Sequence, residues 1–105
     1  MPALNELMNS LTAELDATTA LLNRGEEDNW SRGLVRISND LKAGNTDAVR
    51  DLLSIFGGMG SFNDLVIYPP GDAEHNHEEM CGMNDALAAH RRTLYTLAKD
   101  IRLML

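Results

Sequence analysis

Cysteine is almost missing from this chain. Cys81 is the only one, so no internal disulfide can staple the fold. No stretch of roughly 18 consecutive apolar residues occurs, which excludes a membrane-spanning helix. The opening Met1-Pro2-Ala3-Leu4-Asn5-Glu6 lacks the basic start of a secretory signal, and these absences together predict a cytoplasmic protein. Basic residues are scarce, 9 against 16 acidic, and none falls between positions 57 and 79. A net charge of −7 repels phosphate backbones, so direct nucleic-acid binding is not expected. Internal repeats and low-complexity tracts are absent as well.

What remains is an ordinary globular composition. With 44% hydrophobic residues, the 105 positions suffice for one domain, residues 1–105, with a core of its own. Leu4, Leu7, Met8, Leu11, Leu15, Thr18 and Leu22 recur at three- and four-residue spacing and predict a first helix, with Pro2 in its first turn and Gly25 just past its end. A second helix begins at Asp28 or Asn29, either of which can cap it, and buries Trp30, Leu34, Ile37 and Leu41. Gly44 ends it. Asn45 or Thr46 then caps a third, shorter helix that turns Val49, Leu52, Leu53 and Phe56 inward. A fourth runs from about Asn76, or from Asn84 if Gly82 breaks it, along the stripe Met80, Met83, Leu87, His90, Leu94, Leu97, Ile101 and Met104. The expected fold is all-α, a compact bundle of about four helices.

Between the third and fourth helices the pattern changes. Gly57, Gly58 and Gly60 end the third helix in a tight reversal that brings Phe56, Met59 and Phe62 into the core. Ser61 and Asp64 stand in capping-box register, and Pro69-Pro70 forbid helix beyond Tyr68. Leu65-Val66-Ile67-Tyr68 has strand character but no partner strand, so a short helical turn is the expected form.

The inventory of reactive side chains is thin. A phosphate-cradling reading of the glycines needs a following Lys-Ser or Lys-Thr, and Asp64 stands nearby instead. His75, His77 and Cys81, with Glu79, form the one cluster with metal-ligand chemistry, against the plainer reading of a solvated loop. His90 lies on an apolar stripe, as a hydrogen-bonded core histidine would, and no catalytic triad or facing carboxylate pair can be assembled. No cofactor and no enzymatic activity are expected.

Charge is the stronger signal. Residues 1–28 hold six acids against one base and residues 57–79 hold five against none, a net of −5 in each segment. Acidity also serves solubility, but its segregation points to a basic partner.

The run from Trp30 to Asp64, ending in Gly57-Gly58-Met59-Gly60-Ser61-Phe62-Asn63-Asp64, resembles a family of small, uncharacterised bacterial helical domains with a Gly-Met-Gly-Ser-x-Asn-Asp signature. Some of its members resemble the immunity proteins of contact-dependent or secreted toxin systems. The resemblance implies a structural role for Gly57, Gly58, Gly60, Ser61 and Asp64, and a cognate toxin domain as partner. On the charge pattern that toxin is a basic nuclease, met by Asp64, Asp72, Glu74, Glu78 and Glu79 and by a second patch of Glu26, Glu27 and Asp28. Two alternatives stay open. One is a small metal-binding protein or metal-dependent enzyme built on His75, His77 and Cys81. The other is a homodimer joined along the Met80–Met104 stripe.

Overall fold

The computed structural model describes residues 3–57, 61–68 and 77–105. It contains α1 (Leu4–Arg24), α2 (Asp28–Lys42), α3 (Asp47–Ser54), a 3-10 turn (Phe62–Asp64) and α4 (His77–Met104). The expected four-helix, all-α bundle is what forms, with a short helical turn between α3 and α4. Helix α1 packs against α2 and α4, and α3 packs against the same two, so the helices close a ring.

The predicted stripes face inward. Leu11, Leu15, Thr18 and Leu22 of α1 are fully buried, and the Thr18 hydroxyl is satisfied by donating to the Glu14 carbonyl at 2.7 Å. Helix α2 buries Leu34, Ile37 and Leu41, but Trp30, at the head of its stripe, is only half-buried. Helix α4 is continuous through Gly82 and does not wait for Asn84 to begin. Its residues Met83, Leu87, Leu94, Ala98 and Ile101 are spent inside the chain. Met59, Gly58 and Gly60 lie outside the described residues, whereas Phe56 and Phe62 do turn into the core.

Helix ends depart from the sequence reading in an instructive way. Glu27, not Asp28 or Asn29, precedes α2, and no side chain caps that end. Thr46 stands at the start of α3 without a capping bond, while Asn45 Oδ1 accepts the Asp47 N–H at 3.2 Å. Ser61 precedes the 3-10 turn, yet its Oγ is buried without a partner among the described residues, so the capping box with Asp64 does not form.

Gly44 follows α2 with φ +89°, the left-handed residue of a Schellman closure in which Gly44 N–H donates to Leu41 and Asn45 N–H to Asp40. Helix α1 closes in the same pattern, Glu26 N–H to Asn23 and Glu27 N–H to Leu22, but there the left-handed position belongs to Glu26, at φ 59°. Gly25 sits one residue too early to take it, at φ −87°. What Gly25 provides is room: a Cβ added there would overlap Ile67 Cγ2 and touch Met83 Cε at 3.5 Å.

Helix α3 has 8 residues against 15 in α2, so it covers only part of its neighbour. Residues 61–68 fill the remainder. Phe62 is fully buried, with ring centroids 5.1 Å from Trp30 and 5.7 Å from Phe56, and Ile67 is fully buried over Gly25.

Candidate protein-binding surface

The segment that completes the bundle is held by side chains of α4. Arg91 Nη1 donates to the carbonyls of Phe62, Asn63 and Leu65 at 2.8, 3.0 and 3.1 Å. These carbonyls gather at the end of the 3-10 turn, where Phe62 O also accepts the Leu65 N–H at 3.3 Å, and a guanidinium suits that negative end of the peptide dipoles. Burial lowers the Arg91 pKa from its usual value, and the charge of nearby Asp64 acts in the opposite direction.

Residues 65–68 lie outside any helix, with Leu65 in extended backbone, and do not form the helical turn expected there. The objection to a lone strand, unpaired backbone, is answered by Asn84: its Oδ1 accepts the Ile67 N–H and its Nδ2 donates to the Ile67 carbonyl, both at 2.8 Å. Asn63 Nδ2 donates to the Phe56 carbonyl at 2.6 Å and Phe62 N–H to the Ile55 carbonyl at 2.8 Å, which fastens the other end. Asn84 and Arg91 are the residues that sequence reasoning missed. Their one visible signal is a polar side chain beside an apolar stripe, which most exposed positions share.

The acids come next. Because Gly25 meets Ile67 and Met83, the corner Glu26-Glu27-Asp28 stands at the same end of the bundle as the first turns of α4, with Glu78 and Glu79. Glu26, Asp28, Glu78, Glu79 and Asp64 are exposed, and Glu27 is half-buried. Asp72 and Glu74 lie outside the described residues. Helices α2 and α4 both begin at this end, so the positive ends of two helix dipoles face the acids and hold them there at little cost. Arg24, in the last turn of α1, is a basic residue at this corner. The later part of α4 carries Arg92, Lys99 and Arg102, with Asp100 among them.

Of the metal-ligand candidates, His75 is outside the described residues, and His77 Nε2 lies 3.8 Å from Cys81 Sγ on an exposed helical turn. No group of three or more His, Cys, Asp or Glu side chains able to hold a metal ion comes together among the described residues. His90 Nδ1 pairs with Glu14 Oε1 across the α1–α4 contact, both partly buried, which is the hydrogen-bonded histidine expected on that stripe. Gly57 is exposed, and a Cβ added there would meet no atom of the described residues within 4 Å.

Adjoining the acidic corner, an open groove of about 500 Å³ runs between α2 and α3. Trp30, Gly33, Arg36, Asp40, Asp51 and Ile55 are among the residues lining it.

These features define a small all-α bundle with an acidic end and a groove beside it, and among the described residues no helix is long and apolar enough to cross a membrane. The chain belongs to the family described as "Domain of unknown function (DUF6966)", whose model matches residues 23–75, about half of its length. No curated protein and no solved structure matches it.

Proposed function

We propose that this protein is an immunity-type inhibitor that covers the basic active-site surface of a cognate bacterial toxin, a nuclease, and performs no reaction of its own. The observation that carries this reading is the seating of Gly25 against Ile67 and Met83, which gathers Glu26, Glu27 and Asp28 at one end with Glu78 and Glu79. A basic cleft and an acidic end attract at long range and lock at short range, which favours fast association and partner discrimination. The Gly-Met-Gly-Ser-Phe-Asn-Asp block resembles a family of small helical domains, some members of which resemble immunity proteins, and this suggests the kind of partner.

The test is association with the product of the neighbouring toxin gene, followed across salt concentrations. Neutralising Glu26, Glu27, Asp28, Glu78 and Glu79 to glutamine is expected to slow association and flatten its salt dependence. Absence of binding sinks the proposal, and so does a complex whose salt dependence the neutralised variant leaves unchanged.

A further inference from the structure

The two tyrosines differ in what they touch. Tyr95, 43% exposed, lies against Phe56 with ring centroids 5.4 Å apart and has Lys99 Nζ 5.4 Å from its own ring centre. Tyr68 is 71% exposed and has no ring contact or side-chain hydrogen bond among the described residues. Val66, two positions earlier, is exposed as well, while half-buried Leu65 and fully buried Ile67 turn toward the bundle. Leu103, Met104 and Leu105 also reach solvent, but at the far end of α4 from Glu78 and Glu79.

The fastening of this segment fixes where Val66 and Tyr68 stand. Arg91 holds the Leu65 carbonyl and Asn84 holds Ile67, so the chain passes back along α4 toward its first turn. Tyr68 comes next, in the direction of Glu78 and Glu79. Ile67 is seated on Gly25, which puts Glu26 beside the same stretch. Two apolar side chains are thus set among carboxylates. Acids placed for solubility alone have no use for a bare phenol and a bare valine. An interface does, because its centre is apolar or aromatic and its rim is charged. Tyrosine suits the centre: it covers a large area and has only two side-chain torsions to fix on docking.

We infer that Tyr68, with Val66 beside it, is the apolar anchor of the docking surface and enters a recess of a protein partner whose rim is basic. Charge selects that occupant. A wholly apolar surface would strip water from the flanking carboxylates without replacing it, and an acidic one would be repelled. Lysine or arginine around the recess meets them while the ring goes in. The inference rests on the proposed function for the partner's identity, and it divides the labour there: the acids set how fast the partner arrives, and Tyr68 sets how long it stays.

The probe is the product of the neighbouring toxin gene, with association and dissociation rates measured at low and high salt. A central aromatic anchor gives Tyr68→Ala a dissociation about thirtyfold faster or more, at low and high salt alike, with association nearly unchanged. Tyr68→Phe keeps the ring and stays within about threefold of the native protein. Neutralising Glu26, Glu27, Asp28, Glu78 and Glu79 acts the other way, on association and only at low salt. The midpoint of urea unfolding is expected to stay put in Tyr68→Ala, since no contact within the fold is lost. An unchanged dissociation rate in Tyr68→Ala, a defect that vanishes at high salt, or an unfolding midpoint that falls with the affinity overturns the inference. Toxin binding that responds to the acids and not to Tyr68 removes the anchor and leaves the proposed function standing. Absence of toxin binding by the native protein removes both.

Discussion

The carboxamide of Asn84 does for Ile67 what a neighbouring strand would do, accepting its N–H and donating to its carbonyl at 2.8 Å each. The same Nδ2 also donates to the Met80 carbonyl at 2.8 Å, so the amide is anchored to its own helix while it holds the segment. An isolated stretch of non-helical backbone is thereby paired by a single side chain.

Asn84→Ala leaves both partly buried groups of Ile67 without protein partners and is expected to cost about 2–3 kcal/mol. Urea unfolding measures it. Asn84→Asp keeps the acceptor and loses the donor, and should recover part of the loss.

Gly25 and Glu26 carry opposite expectations, although a glycine commonly ends a helix at either place. Gly25→Ala forces a methyl into Ile67 and is expected to destabilise by about 1–3 kcal/mol. Glu26→Gly relieves a left-handed backbone at a residue with a Cβ and is expected to stabilise by up to about 1 kcal/mol. Denaturation midpoints moving the same way in both variants would contradict the assignment of roles at this corner.

Phe62 joins Trp30 and Phe56 and has no exposed surface. Phe62→Ala is expected to cost about 3–5 kcal/mol, comparable with loss of a leucine from the helical core. The emission of Trp30 should shift with it, because one face of the indole loses its packing.

Asp16 accepts hydrogen bonds from Lys42 Nζ and Ser38 Oγ, each at 3.0 Å, and ties α1 to α2. The Lys42 hydrogen bond is the main cause holding its carboxyl below the ordinary value of 3.8; burial opposes the shift and Ser38 adds to it. A carboxyl with a depressed pKa in the folded state contributes stability that is present above 3.8 and is lost as pH falls through the folded value. The pair is exposed, so the effect is small. Unfolding midpoints of the native protein and Asp16→Asn should therefore converge in acid and separate above that range.

The helices are legible in the sequence because each buries a stripe that repeats along it: Leu11, Leu15, Thr18 and Leu22 announce α1 without help from the rest of the chain. The conformation of residues 65–68 is not legible, since the group that pairs Ile67 is a side chain 17 positions away and no local pattern encodes it. Gly25 reads as a helix terminator, and it does stand at a helix end. The demand for glycine there comes from Ile67, across the fold. Glu26-Glu27-Asp28 and Glu78-Glu79 are visible as charge, while their shared end depends on α1 and α4 lying side by side. The groove is hidden for a similar reason: its lining comes from both α2 and α3, and neither helix shows it alone.

Arg91 and Asn84 lie beyond residue 75, outside the span that the family match covers. A fragment cut to that span would carry Phe62 and Ile67 without the guanidinium and amide that fasten them, and without the α4 leucines opposite. In this chain the matched span therefore depends on α4, and on α1 before it, for the surfaces that close its core.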